Sequence, residues 1–562
     1  MKIKSRIIYV LLIILFNSSI PVYSQPLTDK YSNDFEYSKN LDIFISLFKE
    51  LNQSYVDEIN PGKLVQAGIE ALLRELDPYT NFIPESEIED YEMMTTGQYG
   101  GIGAIIQRRN EYVIVAEPYE GSAAQKAGII AGDKILEING KSAKGKTVEE
   151  VSTALKGQPG TSVNVLIERE ELKEPLQINI IREKIKIPNI PYAGIVDKNI
   201  AYINLNSFTQ NAGDEVKSAF IKLRDSVNIK GVILDLRGNG GGLLNEAVNI
   251  VNIFVKKGET IVSTKGRIKE RNQIHRTTSP AVDTEIPLVI LVNRLSASAS
   301  EIVAGSIQDL DRGVIIGQMT YGKGLVQNIF PLSYNTRVKI TVAKYYIPSG
   351  RCIQKIDYSH KNNDGESEEI PDSLRTAFKT IGGRTVYDGA GIEPDILLKD
   401  YEYSKISVSL SNKHLIFDYA TKFKNKYKNI HDISSFVIND SIYNDFVKYI
   451  SDKDYDYETK SEKILEEFKN IAEKEKYFDA ITGEYNILKQ KMMHDKKEDL
   501  VKFKNEISSL LKQEIVSRYY YQKGRIIASI ETDNEINKAV EVLKNPSLYK
   551  SILNGSYIKT DN

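Results

Sequence analysis

Residues 288–327 read LVILVNRLSASASEIVAGSIQDLDRGVIIGQMTYGKGLVQ. The apolar, β-branched run Leu288–Val292 predicts a buried strand, and the residues from Glu301 onward have helical character. Small residues join the two, a pattern that holds a side chain at a sharp turn near the positive end of the helix dipole. Lys323 follows in a glycine-flanked loop. A serine and a lysine in this setting can form a dyad in which a neutral amine, rather than an imidazole, takes the hydroxyl proton.

Several motifs follow one another in this stretch: S-A-S-A-S-E-I, then Q-D, then T-Y-G-K-G-L-V-Q. Their order resembles that of the carboxyl-terminal processing, or tail-specific, proteases, which are serine peptidases with a PDZ domain. The resemblance extends from about Leu76 to Asp395. It implies a crotonase/ClpP-like α/β protease core with an inserted PDZ domain built as a mixed β-barrel plus helices. Outside this stretch, helical periodicity predicts helical N- and C-terminal regions.

The resemblance also assigns roles within the motifs. It places the nucleophile at Ser298, the general base at Lys323 and the residue that orients the base at Gln327. Glu301 and Asp309 match positions that are important in some members of the family. A structural role for these two carboxylates is equally open, because either can stabilise a helix start or form an ion pair.

A glycine-rich turn, Arg237–Gly242, joins a predicted buried strand to a predicted helix. It lacks the G-K-[ST] ending of a P-loop and the spacing of a dinucleotide-binding turn. In the resembled family this turn helps form the oxyanion hole, because glycines let backbone N–H groups approach a developing oxyanion. We assign this task to Gly241 and the Ala299 amide, with Gly240 and Gly242 as neighbouring possibilities. A turn that serves helix packing alone is the alternative.

Residues 97–183 form a compact module of predicted strands and short helices. An Asn-Gly pair at 139–140 indicates a hairpin turn, and Thr147–Glu150 is a capping box. The module resembles a PDZ domain of the bacterial protease type. In such a domain the loop made here by Gly101, Ile102, Gly103 and Ala104 offers N–H groups to a terminal carboxylate. A peptide then adds as a strand, and side-chain pockets select apolar ends. An ordinary tight turn is the alternative for this loop.

The chain has 562 residues, of which 41% are hydrophobic, so it can build several cores. The composition and motifs predict five segments. They are a signal peptide (1–24), an N-terminal helical region (25–88), a PDZ domain (89–186), the tail-specific protease core (187–400) and a C-terminal helical region (401–562).

The N-terminus carries three basic residues, then the apolar run Ile7–Phe16, then Val22-Tyr23-Ser24. This pattern predicts an export signal that is cleaved after Ser24, and therefore a periplasmic or cell-envelope protein. The apolar run is short for a membrane span. A retained membrane anchor is the alternative.

Composition argues against other classes of function. The net charge is −2, so no overall field attracts nucleic acid, and the single cysteine, Cys352, excludes an internal disulfide framework. The five histidines show neither metal-ligand spacing nor a G-x-S-x-G partner, so we expect no metal and no cofactor. The C-terminal region mixes acidic and basic residues on amphipathic helices. Packing on the core, self-association and adaptor binding are all open for it.

These patterns predict an exported serine endopeptidase that recognises protein substrates with apolar C-termini through its PDZ domain. Lysine has an ordinary pKa of about 10.4 and must be desolvated to act as a base. The apolar neighbours Leu325, Val326 and Ile329 can supply the walls of such a site. The competing interpretations are a non-catalytic PDZ scaffold that binds peptides and, in a third class, acyl-group chemistry on small molecules.

Overall fold

The computed structural model describes residues 28–362, 364–430, 432–492 and 496–557. The predicted export signal lies outside these ranges. The chain separates into two compact units, Met1–Glu75 and Leu76–Asn562. In the first unit two helices follow each other, α1 (Thr28–Ser54) and α2 (Pro61–Arg74). No helix in the described ranges is long and apolar enough to span a bilayer.

The second unit begins with β1 (Asn81–Ile83) and α3 (Ile88–Thr96), which lead into a small domain. Its sheet has the strand order β3-β4-β5-β7-β8, with β6 beside β5, while β2 pairs with β9 where the chain enters and leaves. The predicted capping box at Thr147 and Glu150 is confirmed. The elements are β2 (Gln98–Gly101), β3 (Ala104–Arg109), β4 (Tyr112–Pro118), α4 (Ala123–Lys126), β5 (Lys134–Ile138), β6 (Lys141–Ser142), α5 (Val148–Leu155), β7 (Ser162–Glu168), β8 (Leu176–Ile181) and β9 (Glu183–Lys186).

A larger α/β domain follows, and it contains the predicted strand Leu288–Val292. Its main sheet has the order β10-β11-β12-β15-β16-β23, in which β10 is antiparallel to β11 and the other neighbours are parallel. The elements of this sheet and its helices are β10 (Tyr192–Val196), β11 (Ile200–Asn204), α6 (Ala212–Ser226), β12 (Gly231–Asp235), α7 (Leu244–Phe254), β15 (Leu288–Val292), α8 (Ala299–Asp309), β16 (Val314–Gly317) and β23 (Ile396–Leu397).

A second sheet lies beside the first and carries the segment after Lys323. Strands β17 (Leu325–Pro331) and β18 (Arg337–Tyr346) form its central hairpin, and β18 also pairs with β1 and with β13. The remaining strands of the domain are β13 (Thr260–Lys265), β14 (Gln273–Arg276), β19 (Ile356–Lys361), β20 (Ser367–Glu369), β21 (Ala377–Lys379) and β22 (Thr385–Tyr387).

Helices continue from residue 405 to the end of the described chain. They are α9 (Lys405–Asn412), α10 (Leu415–Lys426), α11 (Asp440–Ile450), α12 (Lys460–Lys474), α13 (Phe478–Met492), α14 (Lys496–Lys502), α15 (Lys504–Ile530), α16 (Asn534–Lys544) and α17 (Pro546–Leu553). This region contacts the small domain through a bidentate pair, in which the Arg109 guanidinium donates to Asp418 at 2.6 and 2.5 Å. A second pair joins Arg525 to the buried Glu117 at 2.9 Å.

The main sheet is covered on both faces, which explains why Leu288–Val292 is wholly buried and apolar. Val232 and Leu234 face helices α6, α7 and α8. Ile233 points to the opposite face, where it packs with residues of α16 and α17. The last two helices of the C-terminal region therefore pack on the core, which answers one question that the sequence left open. The predicted α/β fold with an inserted PDZ domain and helical ends is confirmed, and the predicted domain boundaries stay predictions.

Candidate active site

Ser298 lies at the sharp turn between β15 and α8. Its backbone has φ 56° and ψ −110°, a region that costs a non-glycine residue on the order of 1–3 kcal/mol. The flanking serines use their hydroxyls differently: Ser296 Oγ donates to Leu236 O and Ser300 Oγ to Asn239 O, each at 2.8 Å. Both bonds join the Ser298 turn to the glycine-rich turn. Of the three serines, only Ser298 lines the pocket described below.

Glu301, in the first turn of α8, joins the Ser298 turn to the Lys323 loop. Its fully buried carboxylate accepts hydrogen bonds from Ser298 N (2.8 Å), Thr320 Oγ1 (2.6 Å), Gly322 N (2.8 Å) and Lys323 N (2.9 Å). Burial raises the pKa of Glu301 to about 7, and these donors oppose the rise because they favour the ionised form. One carboxylate thus fixes the backbone at both candidate dyad residues.

Lys323 is half-buried beside Tyr79, in the segment Leu76–Thr80. Its Nζ lies 4.2 Å from the centre of the Tyr79 ring, a cation–π geometry. Burial, and after it the nearby charge of Lys339, lower the pKa of Lys323 to about 8, while Glu301 and Asp77 act in the opposite direction. The predicted desolvation of this amine is therefore present. No hydrogen bond joins Nζ to Ser298 or to Gln327 within the described ranges.

Gln327 is on β17, in the wall of the same pocket. Its side-chain amide donates to Thr341 Oγ1 on β18 at 3.2 Å, rather than hydrogen-bonding Lys323. Thr341 N donates in turn to Thr80 Oγ1 at 3.1 Å, next to Tyr79. Gln327 therefore belongs to a network that ties the Tyr79 segment to the hairpin behind the lysine.

The glycine-rich turn packs closely against the Ser298 turn. A Cβ added at Gly241, where φ is +100°, would lie 2.7 Å from Ala297 O and 2.9 Å from both Ala299 N and Ser298 Cβ. The Gly241 N–H donates to Asn239 Oδ1 at 2.9 Å, so it must leave this partner before it can bind an oxyanion. The Ala299 N–H has no hydrogen-bond partner among the described residues. The assignment of Gly241, with Gly240 and Gly242 as alternatives, stays a prediction.

Asp309 stands at the far end of α8 from Ser298. It accepts from Arg351 Nη2 at 2.8 Å and from Ser349 N at 2.9 Å, and the ion pair with Arg351 is fully buried. These contacts hold the segment after β18 against α8. They favour the structural alternative for Asp309, which the structure does not bring into the pocket.

Two residues near the site were not singled out from the sequence. Tyr79 lies near the start of the region of resemblance and no local pattern distinguishes it, although its ring contacts the Lys323 amine. Asn239 was quoted only within the glycine-rich turn, yet it is fully buried and its side chain bonds both Leu205 O (2.7 Å) and Gly241 N. The sequence offered one indication of Asn239: it is a polar residue between glycines, in a turn that joins a strand to a helix.

The candidate pocket has a volume of about 640 Å³, and Ser298 and Lys323 both line it. Its other walls are mostly apolar, and they include residues from α3, which precedes the small domain. An extended peptide with apolar side chains suits such a surface. The apolar lining residues are Met93, Met94, Ile187, Leu243, Leu244, Ile302, Leu325 and Val326.

The predicted carboxylate-binding loop of the small domain also has a defined geometry. Gly103, with φ +76°, accepts from Ser122 Oγ at 2.8 Å, and Ile102 O accepts from Ala124 N at 2.7 Å. The N–H groups of Ile102 and Gly103 have no hydrogen-bond partner among the described residues. Ala104 begins strand β3, and Gly101 ends β2.

The chain matches known families over most of its length. Residues 199–360 match peptidase family S41, residues 114–169 match a PDZ domain, and residues 406–543 match the C-terminal helical domain of probable PDZ-proteases. A solved structure titled photosystem II D1 C-terminal processing protease is 26% identical, covers 63% of this chain and 92% of its own, and has a TM-score of 0.35.

Two curated relatives have related names. A carboxy-terminal-processing protease of Bartonella bacilliformis is 35% identical over 356 residues, which are 62% of this chain and 80% of the relative. A probable CtpA-like serine protease of Staphylococcus epidermidis is 32% identical over 417 residues, which are 73% of this chain and 77% of the relative. With this coverage and with both domain types in place, the chain belongs to the carboxy-terminal-processing family of serine proteases and carries their PDZ domain.

Proposed function

We propose that this protease is an exported endopeptidase that cleaves peptide bonds with a dyad of Ser298 and Lys323. The observation that carries the proposal is their placement in one pocket. A serine held at a strained turn and a desolvated lysine, whose pKa is about 8, line the same apolar cavity. A lysine with that pKa supplies a substantial fraction of neutral amine near pH 8.

In the proposed reaction Ser298 Oγ attacks the peptide carbonyl carbon while Lys323 Nζ takes the hydroxyl proton. The oxyanion is stabilised by the Ala299 N–H and by an N–H of the glycine-rich turn, with Gly241 as the first candidate. The C–N bond then breaks, and Nζ gives the proton to the leaving amine. Water repeats the sequence on the acyl-enzyme, with Lys323 again acting as the base, and releases the acid.

Lys323 must turn from the Tyr79 ring toward Ser298 for this reaction. Loss of the amine proton itself weakens the hold of the ring, because a neutral amine has no cation–π attraction. Gln327 is then available, as the family resemblance implies, to orient the amine. The main-chain position of Lys323 need not move, since Glu301 already fixes it.

The PDZ domain supports the proposed choice of substrate. The N–H groups of Ile102 and Gly103, which have no partner in the part of the chain that the structure describes, suit a terminal carboxylate, and Gly101 and Ala104 connect that loop to its strands. We propose that substrates present apolar C-termini to this loop. The basic and apolar N-terminal pattern supports export to the periplasm or cell envelope.

The test compares Ser298→Ala and Lys323→Ala with the parent in cleavage of an unfolded protein that ends in apolar residues. We expect each variant to lose nearly all cleavage. Ser300→Ala is the matched control, because its hydroxyl bonds Asn239 O, and we expect it to keep measurable cleavage with lower stability. Undiminished cleavage by Ser298→Ala or Lys323→Ala overturns the dyad. Peptide binding without cleavage by the parent would instead favour the non-catalytic scaffold.

A further inference from the structure

Helix α16 of the C-terminal region lies along β12 and reaches the glycine-rich turn. Its buried residues Ile536, Ala539, Val542 and Leu543 pack on the main sheet. The C-terminal end of α16 lies at the start of β12, where a Cβ added to Gly231 would be 2.9 Å from Leu543 Cδ2. The N-terminal end therefore lies where β12 ends and the turn begins.

At that end two carboxylates of the C-terminal region hold the first residue of the turn. Arg237 Nη1 donates to Asp533 Oδ2 at 2.8 Å and also to Glu535. The other nitrogens of the guanidinium donate to Asp235, the last residue of β12, at 2.6 to 3.1 Å. The Arg237 side chain is only 16% exposed, so these charge-assisted bonds are largely shielded from water.

Beyond Arg237, the glycine-rich turn is hydrogen-bonded directly to the residues between β15 and Ser298. Gly238 N donates to Asn293 Oδ1 at 3.0 Å, and Ala297 N donates to Asn239 O at 3.1 Å. Gly241 then lies against Ser298 itself. A displacement of Arg237 is therefore passed, through short backbone steps, to the N–H groups assigned to the oxyanion hole.

We propose that Asp533 and Glu535 are positioning residues for catalysis, because they hold Arg237 and thereby set the oxyanion turn. The C-terminal helical region then completes the active site, although none of its described residues lines the candidate pocket. This inference rests on the proposed function and deepens it. Without the two carboxylates the backbone of the turn keeps its course, but Arg237, its first residue, loses its ion pairs with the C-terminal region.

The main test is the double variant Asp533→Asn with Glu535→Gln in the full chain. Asn at position 533 keeps the acceptor that caps α16, where Asp533 Oδ1 now accepts from Glu535 N and Ile536 N. We expect kcat to fall by about 10-fold or more with KM nearly unchanged, since a misplacement of ~1 Å can cost on the order of 100-fold. Glu541→Gln, an exposed change on the same helix, is the control and should leave both constants unaltered.

Two further measurements separate positioning from general damage. Added to Arg237→Ala, the double change should cause no further loss, because its effect passes through Arg237; additive losses overturn the proposal. Amide hydrogen exchange over residues 236–242, measured in the Ser298→Ala background, should be faster in the double variant and unchanged in Glu541→Gln. Unchanged exchange or unchanged kcat in the double variant also overturns it.

Amide hydrogen exchange does not depend on catalytic activity. It therefore tests whether Asp533 and Glu535 hold the glycine-rich turn even if Ser298→Ala shows that the proposed dyad is wrong. Should the double variant unfold at the assay temperature, Glu535→Gln alone leaves the Asp533 cap intact. The same changes, smaller in size, are then expected in kcat and in exchange, and their absence counts against the link.

Discussion

The two halves of the candidate dyad are held in opposite ways. Ser298 is fixed through its backbone, by the Glu301 carboxylate and by close packing against Gly241. The Lys323 backbone is fixed by the same carboxylate, but its amine contacts a ring and hydrogen-bonds neither Ser298 nor Gln327. The turn that carries the nucleophile is therefore held rigidly, whereas the amine of the base can change its position. Changes on the serine side should lower kcat, and changes around the lysine should move its pKa.

Outside the dyad itself, the largest effect is expected for Glu301→Gln, which acts on both halves. Each carboxylate oxygen accepts from two donors, so whichever oxygen becomes an NH₂ group leaves two buried donors unpaired. An unpaired buried donor costs about 1–3 kcal/mol of folding free energy. We expect kcat/KM to fall on the order of 100-fold, together with a lower free energy of unfolding in urea.

A matched control for this change exists at Glu246 on α7. Its carboxylate accepts from Gly213 N at 2.7 Å and from Asn211 N at 3.4 Å, at the start of α6 and outside the candidate pocket. Glu246→Gln should lower stability but keep kcat. If Glu301→Gln behaves in the same way, Glu301 supports the fold alone and does not position the dyad.

The next effect is confined to the serine half. Gly241→Ala places a methyl group within 2.7 to 2.9 Å of the Ser298 turn, at a φ that favours glycine. We expect a loss of kcat of at least about 10-fold, because the turn must shift to admit the methyl group. Gly258→Ala is the control: it has a similar φ of +95°, its Cβ would meet nothing within 4 Å and it lies outside the candidate pocket, so kcat should be retained. Equal activity of the two variants in steady-state assays would contradict the role of this contact.

The contrast between the halves also separates what the sequence predicted from what it could not. Short, ordered motifs predicted the elements around Ser298, because a buried apolar strand, small residues and a capping glutamate each have a local physical meaning. The glycine-rich turn and the PDZ elements were predicted for the same reason, and the family and fold are confirmed. The roles of the individual site residues stay predictions.

The missing information is long-range in every instance. Tyr79 and Lys323 are distant in the chain, and no periodicity links an aromatic ring to an amine in a remote loop. The pairing of Arg237 with Asp533 and Glu535 likewise joins a turn to a helix far along the sequence. Helical patterns predicted amphipathic faces in the C-terminal region, but only the folded chain shows that α16 and α17 cover the main sheet.

On the lysine side, Tyr79→Leu should change pH dependence more than rate. The ring favours the charged amine by about 0.5–2 kcal/mol, and leucine keeps an apolar wall without a π face. The pKa of Lys323 should therefore fall further below its present value of about 8, and the acidic limb of kcat/KM should move to lower pH. Tyr79→Phe keeps the ring and should leave the limb in place. A limb that moves to higher pH in Tyr79→Leu would show that lost burial outweighs the lost ring.

The smallest effect is expected for Lys339→Met, and it has the opposite sign. The Lys339 charge is the second cause, after burial, of the lowered pKa of Lys323, since one cation disfavours another nearby. Removing it should raise that pKa, so less neutral amine is present at a given pH and the acidic limb of kcat/KM moves to higher pH. Lys339→Arg retains the charge and should retain the limb. If the base is adjustable and the nucleophile is fixed, the acidic limb of kcat/KM should move in opposite directions in Tyr79→Leu and Lys339→Met, and the plateau rates should stay similar. If the limb moves in the same direction in both variants, both changes act only through solvent access to the pocket.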